Sequence, residues 1–314
     1  MPIQNPNAEP VFQPNFTLDA NSQHTHSKVR ILREVFQTDA TFSWEETMAD
    51  TETYEILAVK YGSHSKRTRN DNFMHADDHN APSKIDYFIW VIRNANRTIV
   101  VDTGFERKEA ASRGRQIDHE PKEILQRVGV DAEKIDNLIV SHLHYDHAGT
   151  LHDFPAARFH LQESEMAYAT GRCMCDEALR GPFTADHVCD MVKHVYSGRV
   201  QFYNGDGQIA PGITVHHTPG HSKGIQCVRV MTEHGPVVLA TDAAHFYDNF
   251  ELRKPFSVTV DVEATLRSYD KLTELAGDPR NVIPGHDPLV LSRYPAWKPD
   301  AQGIVHRLDL PRLD

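Results

Sequence analysis

Apolar and polar positions along the 314-residue chain alternate between two patterns. Short, almost unbroken apolar runs predict strands at Tyr54–Tyr61, Tyr87–Ile92, Thr98–Asp102, Leu138–Val140, Arg158–Leu161, Ile213–His216, Gln226–Met231 and Val237–Ala240. The second and third flank the turn-forming Asn94-Ala-Asn96 and predict a hairpin. Helical spacing marks Pro121–Val128, a short turn from Asp131, Glu163–Thr170, and Met174–Tyr196 broken at Gly181 and Pro182. A last helix is predicted from an N-cap at Asp261 through Leu266, Tyr269, Leu272 and Leu275 to a stop at Gly277. Hairpins come first and mixed β and α follow in both halves, an order that predicts sheets packed on each other with helices outside. Residues 1–50 lack this periodicity and read as an N-terminal extension, irregular or wrapping the surface, ahead of a domain spanning 51–314. Gly62–Lys84 reads as a long polar loop, and loops of that length in compact domains are usually functional.

Composition narrows the function classes. Lys and Arg number 33 against 44 Asp and Glu, a net charge of −11, which argues against nucleic acid as a partner because neutralising phosphates needs a basic face. No apolar run reaches the roughly 18 to 20 residues of a membrane span, and the polar start does not read as a secretory signal. The four cysteines do not form a disulfide framework; Cys173-Met174-Cys175 reads as ordinary thiols, and a reducing cytoplasm is the expected compartment.

The 20 histidines change the picture where they cluster. After the strand ending at Val140 comes Ser141-His142-Leu143-His144-Tyr145-Asp146-His147-Ala148-Gly149. His142 and His144 are two apart and share a face in extended backbone, while Asp146 and His147 fall where the chain bends. That spacing can feed two adjacent metal ions, since imidazole nitrogen and carboxylate oxygen are ligands zinc accepts. Complementary ligands recur after later strands and tight turns: Thr218-Pro-Gly-His221, Thr241-Asp242 and Ile283-Pro-Gly-His286-Asp287. Any one could be a packed histidine; together they point to metal binding.

These residues resemble the metallo-β-lactamase superfamily, whose hallmark is His-x-His-x-Asp-His followed by a distant His, an Asp and a final His. The resemblance covers about Tyr54 to Pro295, including Val101-Asp102-Thr103-Gly104, similar to the family's early Asp-Thr-Gly turn. It implies an α/β fold, the αβ/βα four-layer sandwich of two mixed sheets flanked by helices, with 51–314 as the catalytic domain. It further implies that His142, His144 and His221 hold one metal, that Asp146, His147 and His286 hold the other, and that Asp242 bridges. The cofactor expected is two Zn²⁺, with Fe, Mn or Co accepted by the same donors. A hydroxide shared by such ions is expected to attack a carbonyl, the leaving oxygen being captured by the second metal or protonated by Asp146. Asp102 is read as an acceptor that orients a ligand histidine, with a plain turn cap as its alternative.

Within the superfamily the chain is similar to the N-acyl-homoserine lactonase-like branch in Ser-His-Leu-His-Tyr-Asp-His-Ala-Gly, Thr-Pro-Gly-His-Ser and Val282-Ile-Pro-Gly-His-Asp-Pro-Leu-Val. The function this implies is metal-dependent opening of a lactone. The rivals are a thioesterase of glyoxalase II type, whose helical C-terminal region is not evident here, another cyclic ester or amide hydrolase, and an iron-dependent oxidoreductase. The best-known lactonases carry a substrate-binding tyrosine three residues after the bridging aspartate. This sequence has His245 there, and either His245 or Tyr247 is expected to stand in. Pocket walls are expected from Gly62–Lys84 and Cys173–His194, with Phe73, Met74 and Phe183 as apolar contacts. The expected partner is a small lactone or ester, with no nucleic acid or membrane, and a homodimer is an open expectation from related lactonases.

Overall fold

The strand beginning at Glu55 explains why its sequence is apolar at nearly every position. Leu57, Val59 and Tyr61 enter one hydrophobic cluster while Ile56 and Ala58 enter another, so both faces of the strand are covered. In this computed structural model, which describes residues 52–75 and 78–314, the same division recurs at Tyr87, Ile89 and Val91 against Phe88, Trp90 and Ile92. Each such side chain contributes about 1.5–3 kcal/mol by leaving water. The extension expected over 1–50 lies outside the described residues.

The described strands are β1 (Glu55–His64), β2 (Ile85–Arg93), β3 (Thr98–Val101), β4 (Gln116–Ile117), β5 (Asn137–Ile139), β6 (Arg158–Gln162) and β7 (Val200–Tyr203). They continue as β8 (Gly207–Ala210), β9 (Ile213–His217), β10 (Gln226–Thr232), β11 (Gly235–Thr241), β12 (Val282–Pro284) and β13 (Val305–Arg307). One mixed sheet has the order β13-β1-β2-β3-β5-β6-β7, with β4 paired to β1; the other has the order β12-β11-β10-β9-β8. The cluster holding Ile56, Trp90 and Ile99 also takes Val215, Val228 and Leu239 from the second sheet, so it is the core between the sheets. The first sheet's other face packs on Ile124 and Leu125 of the helix over Pro121–Arg127 and on its C-cap Val128, and the second sheet's on Tyr269, Leu272 and Ala276 of the helix over Val262–Ala276. This is the αβ/βα sandwich expected.

Local signals act as their chemistry predicts. The β2–β3 hairpin pairs Arg93 with Thr98, and the Asn94 side-chain oxygen accepts from the N–H groups of Asn96 and Arg97 at 2.8 and 3.1 Å. Asp261 caps the 262–276 helix by accepting from Ala264 N–H at 2.9 Å, and Gly277 ends it in the left-handed region. One boundary differs. Gly62 does not begin a loop; β1 bulges between Lys60 and Gly62 and continues to His64, because β4 lies so close that a Cβ at Gly62 would meet the Gln116 carbonyl at 2.6 Å.

Candidate metal centre

Within the first sheet β3 and β5 are parallel; within the second, β9 and β11 flank β10 in antiparallel pairing and β12 runs parallel to β11. The carboxyl ends of β3, β5, β9, β11 and β12 lead into Asp102, Ser141–His147, Thr218–His221, Asp242 and His286 respectively. Ligands in α/β proteins gather at such ends, where backbone leaves the ladder and side chains converge. The loop carrying the histidine cluster is pinned to the turn after β3: Thr103 N–H donates to the His147 carbonyl at 2.8 Å and Gly149 N–H to the Gly104 carbonyl at 2.9 Å.

Seven side chains separated by up to 144 positions in sequence meet there. His142, His144, His221 and Asp242 form one buried group and Asp146, His147 and His286 a second, their donor atoms within 4.8 Å of one another in each. Asp242 divides its oxygens between the two. Its Oδ2 lies 3.8 Å from His142 Nε2 and 3.3 Å from His221 Nε2, and its Oδ1 lies 3.2 Å from His147 Nε2 and 2.9 Å from His286 Nε2. Asp146 closes the second group, 3.8 Å from His147 Nε2 and 3.7 Å from His286 Nε2. His144 presents Nδ1, 3.0 Å from His221 Nε2.

The donor set fits divalent metal ions. His142 Nε2, His147 Nε2 and Asp242 Oδ1 are buried without a well-formed hydrogen bond, a costly arrangement unless a cation completes it. The outward nitrogens of His221, His286 and His142 are engaged: His221 Nδ1 with the Val258 carbonyl at 2.6 Å, His286 Nδ1 with the Asp86 carbonyl at 2.8 Å, and His142 Nδ1 with Ser141 Oγ at 3.0 Å. Each outward bond leaves the inner lone pair available, as metal-binding histidines require. Burial drives His142 and His144 well below the ordinary histidine range and His221 down to about 3, so these rings are neutral, the ligating form. At His147 and His286 burial works the same way, but Asp242 and the other carboxylates outweigh it and both are raised. Burial also opposes ionisation of Asp242, yet His147, His245 and His286 hold it well below the usual carboxylate range. Positive charge is thus favoured where a metal would displace protons.

The surrounding polar groups fix the cluster. Asp102, fully buried with φ 62°, accepts from Ser141 N–H at 2.7 Å and Ser141 Oγ at 2.8 Å, and its Oδ2 lies 2.7 Å from His147 Nδ1. These bonds join Asp102 to the His147 ring and to Ser141, and none of them lies within its own turn at 102–104. Glu165 was invisible in the sequence: its buried carboxylate accepts from Leu143 N–H at 3.0 Å, Gly224 N–H at 3.0 Å and Ser222 Oγ, bolting the His142–His144 segment to the His221 turn. Gly285 is required by proximity, since a Cβ there would lie 2.6 Å from the Thr241 carbonyl and 2.8 Å from Asp242 Oδ1.

A cleft of about 300 Å³ opens over this cluster, with His144, Asp146, His221, Asp242, His245 and His286 on its floor. Arg67 and Pro182 stand in its walls, from the two segments expected there. Among the individual residues the outcome is mixed. His245 is in the site: its Nε2 lies 3.1 Å from Asp242 Oδ2, its Nδ1 has no hydrogen bond, and its ring stacks on Phe256 at 3.5 Å. Tyr247 is carried elsewhere, into the core beside the second sheet, with Arg293 over its ring at 3.9 Å. None of the three expected apolar contacts lines the cleft: Phe183 meets the His144 ring edge-on at 4.6 Å but lines a separate cavity with Met174, Phe73 packs on Phe246 at 5.0 Å, and Met74 pairs its N–H with the Pro255 carbonyl. Arg67, Arg115, Tyr145 and Phe256 line the cleft without having been singled out by sequence.

Comparison with known proteins agrees with this architecture. The N-acyl homoserine lactonase AiiA of Bacillus thuringiensis subsp. kurstaki is 33% identical over 166 residues, 52% of this chain and 60% of its own length. The N-acyl homoserine lactonase AttM of Rhizobium johnstonii is 30% identical over 176 residues, 54% of this chain and 65% of its own. The chain thus spans less than two thirds of the length of these curated relatives. A crystal structure of a quorum-quenching N-acyl homoserine lactone lactonase superposes with a TM-score of 0.64 at 23% identity, covering 76% of this chain and 94% of that one. AidC, described as a dizinc quorum-quenching lactonase, superposes with a TM-score of 0.59 at 15% identity, covering 76% and 92%. The profile of the metallo-beta-lactamase superfamily matches residues 86–286, most of the described chain and every one of the seven clustered side chains, and the protein belongs to that superfamily.

Proposed function

We propose that the protein is a dinuclear metal-dependent hydrolase that opens a lactone ring, N-acyl-homoserine lactones being the class its curated relatives are named for. The observation that carries this reading is the split of Asp242, one oxygen toward His142 and His221 and the other toward His147 and His286. On it, His142, His144 and His221 would hold one ion, Asp146, His147 and His286 a second, and Asp242 both; zinc is the first choice for this donor set, with iron, manganese and cobalt also accepted. Bound there, the ions would supply Lewis acidity that brings the pKa of water toward about 7 and polarises an ester carbonyl.

The chain's own residues do the rest. Asp146, 8% exposed at the cleft floor, would take the proton that the attacking water gives up and pass it to the alkoxide that leaves when the ring opens. His245 stands where it can donate to the ester carbonyl, its ring held by Phe256 and its backbone by Asn249 Oδ1 at 2.9 Å. Phe256, Ile85 and Pro182 shed water around the ring. A cytoplasmic location goes with this reading, since all four cysteines are free thiols. Among the described residues no helix is long and apolar enough to cross a membrane.

The test is base consumption by the zinc-loaded protein on acyl-homoserine lactones of long and short chain, simple γ- and δ-lactones and an aromatic lactone, with His142→Ala as control. Ring opening by the wild type and not by the variant supports the proposal. Silence across the panel with two metals bound overturns it and directs attention to thioesters and cyclic amides.

A further inference from the structure

The cleft wall carries positive charge that ester hydrolysis does not call for. Arg67 and Arg115 both border the cleft, yet among the described residues neither meets a carboxylate. Arg67 donates from Nε to Asn72 Oδ1 and from Nη2 to the Asp71 carbonyl. Arg115 donates from Nε to Tyr145 OH at 3.1 Å and from Nη1 to the Arg113 carbonyl at 2.7 Å. All four acceptors are neutral; Asp71 favours the Arg67 charge and Asp146 the Arg115 charge without forming an ion pair with it. Arg199 and Arg229 likewise bond to carbonyls and to no carboxylate among the described residues, but neither borders the cleft; the third cleft arginine, Arg113, is paired with Glu109 at 2.6 Å.

The two guanidinium groups are not equivalent: burial works against the Arg115 charge, but Tyr145, Tyr87 and Asp146 outweigh it and raise Arg115. Burial and the like charge of Arg115 hold Arg67 below the ordinary arginine range. Burial, Arg115 and Arg67 together push the neighbouring His64 down to about 4, so the side chain beside them stays neutral. Of the cleft-floor carboxylates, Asp242 faces the histidines of the cluster, and Asp146 faces them at 3.7–3.8 Å while also favouring the Arg115 charge. Holding like charges together in a half-buried wall costs free energy that an anion would return through charge-assisted hydrogen bonds, for which the planar guanidinium fork is suited.

We infer that the substrate carries an anionic oxygen group, a carboxylate or a phosphate, held by Arg67 and Arg115 while its ester lies over the floor at Asp146 and His286. The inference rests on the hydrolase reading for the ester and on the arginine pair for the anion. The two residues determine specificity; they do not touch the reacting atoms. A purely acyl-chain-directed lactonase would have no use for them.

Two measurements on the zinc-loaded protein separate the two claims. The first is ring opening of a γ-butyrolactone bearing a carboxamide, a carboxylate or a phosphorylated hydroxymethyl group. The second is calorimetric binding of the matching lactams, which hold the same groups without an ester. Wild-type protein is expected to prefer an anionic member by about 10- to 100-fold, the value of one or two hydrogen bonds to a charged group. The lactone bearing the preferred group identifies carboxylate or phosphate. Arg67→Met with Arg115→Met should bring the preference to within about threefold of unity, and Arg115→Lys should keep part of it because the charge remains. A wild-type preference near unity, or one unchanged in folded Met variants, overturns the inference even if neutral lactones are opened. An anion preference in lactam binding that the Met variants lose, with no lactone opened, sustains the anion site and sinks the lactonase reading instead.

Discussion

Replacing Asp102 by Asn tests how the metal cluster is held. Both oxygens of Asp102 are occupied, Oδ1 by Ser141 N–H at 2.7 Å and Oδ2 by Ser141 Oγ at 2.8 Å and His147 Nδ1 at 2.7 Å. Asn keeps one acceptor for Ser141 N–H and turns its NH₂ toward His147 Nδ1. Two donors then face each other unless His147 moves its proton to Nε2, the atom 3.2 Å from Asp242 Oδ1, and a protonated Nε2 cannot ligate. Asn also tolerates the left-handed backbone at φ 62°, so the perturbation stays in the hydrogen bonds, whereas Ala would add about 1–2 kcal/mol of backbone strain. Partners of this kind are worth about 10- to 100-fold in metal affinity, or about 1.4–2.8 kcal/mol. Competition with a coloured chelator measures each equivalent of zinc, with circular dichroism to show that the fold persists. The expectation is one weakened equivalent, that of His147, Asp146 and His286. Two equivalents of wild-type affinity in folded D102N would refute the role given to Asp102.

Glu165→Ala strands the N–H groups of Leu143 and Gly224 in a buried site at about 1–3 kcal/mol each, so urea unfolding should show a loss of about 2–6 kcal/mol; a change below 1 kcal/mol would contradict the bolt between the two turns. His245→Ala should lower kcat by about 10- to 100-fold with both metals retained, while Tyr247→Phe should leave turnover within about twofold, because the Tyr247 ring lies in the core; equal effects in steady-state assays would dispute both placements. His160, bonded to Tyr203 OH at 3.0 Å and Asn137 Oδ1 at 2.9 Å, is lowered to about 4 by burial, chiefly, and by Arg158. Between about pH 4 and 6.5 the unfolded chain therefore binds the extra proton, so stability should fall as pH drops through that window. His160→Asn should flatten that part of a urea-midpoint profile, and an unchanged slope would show that His160 does not titrate there.

Six of the seven clustered residues were legible because they follow apolar runs that read as strands; His286 follows the three-residue β12, which carries too little pattern to register, and was found through its Pro-Gly-His turn and the family motif. Asp102 was legible for the same reason as the six. Glu165 and Arg115 were not, because a lone acid in a helix or a lone arginine after Gly114 has no local signature; their partners lie elsewhere in the chain, as with Glu165 and Gly224. The central strands showed as apolar runs since both faces are buried, while β7 and β8, half-exposed at sheet edges, and the three-residue β13 carry too little pattern to register. Tyr247 illustrates a limit of period-two reasoning. The chain turns into a short helix at Tyr247, whose N–H donates to Asp287 at 3.0 Å, so a residue two beyond His245 faces the core and not the cleft.

The most direct test of the two-metal centre is elemental analysis of protein purified in zinc, beside His142→Ala, His286→Ala and Asp242→Ala. The arrangement predicts two metal ions per chain in the wild type, loss of a different one in each histidine variant, and loss or severe weakening of both in Asp242→Ala, since each of its oxygens faces one group. A wild type that binds one ion, or an Asp242→Ala protein that keeps two, would contradict it.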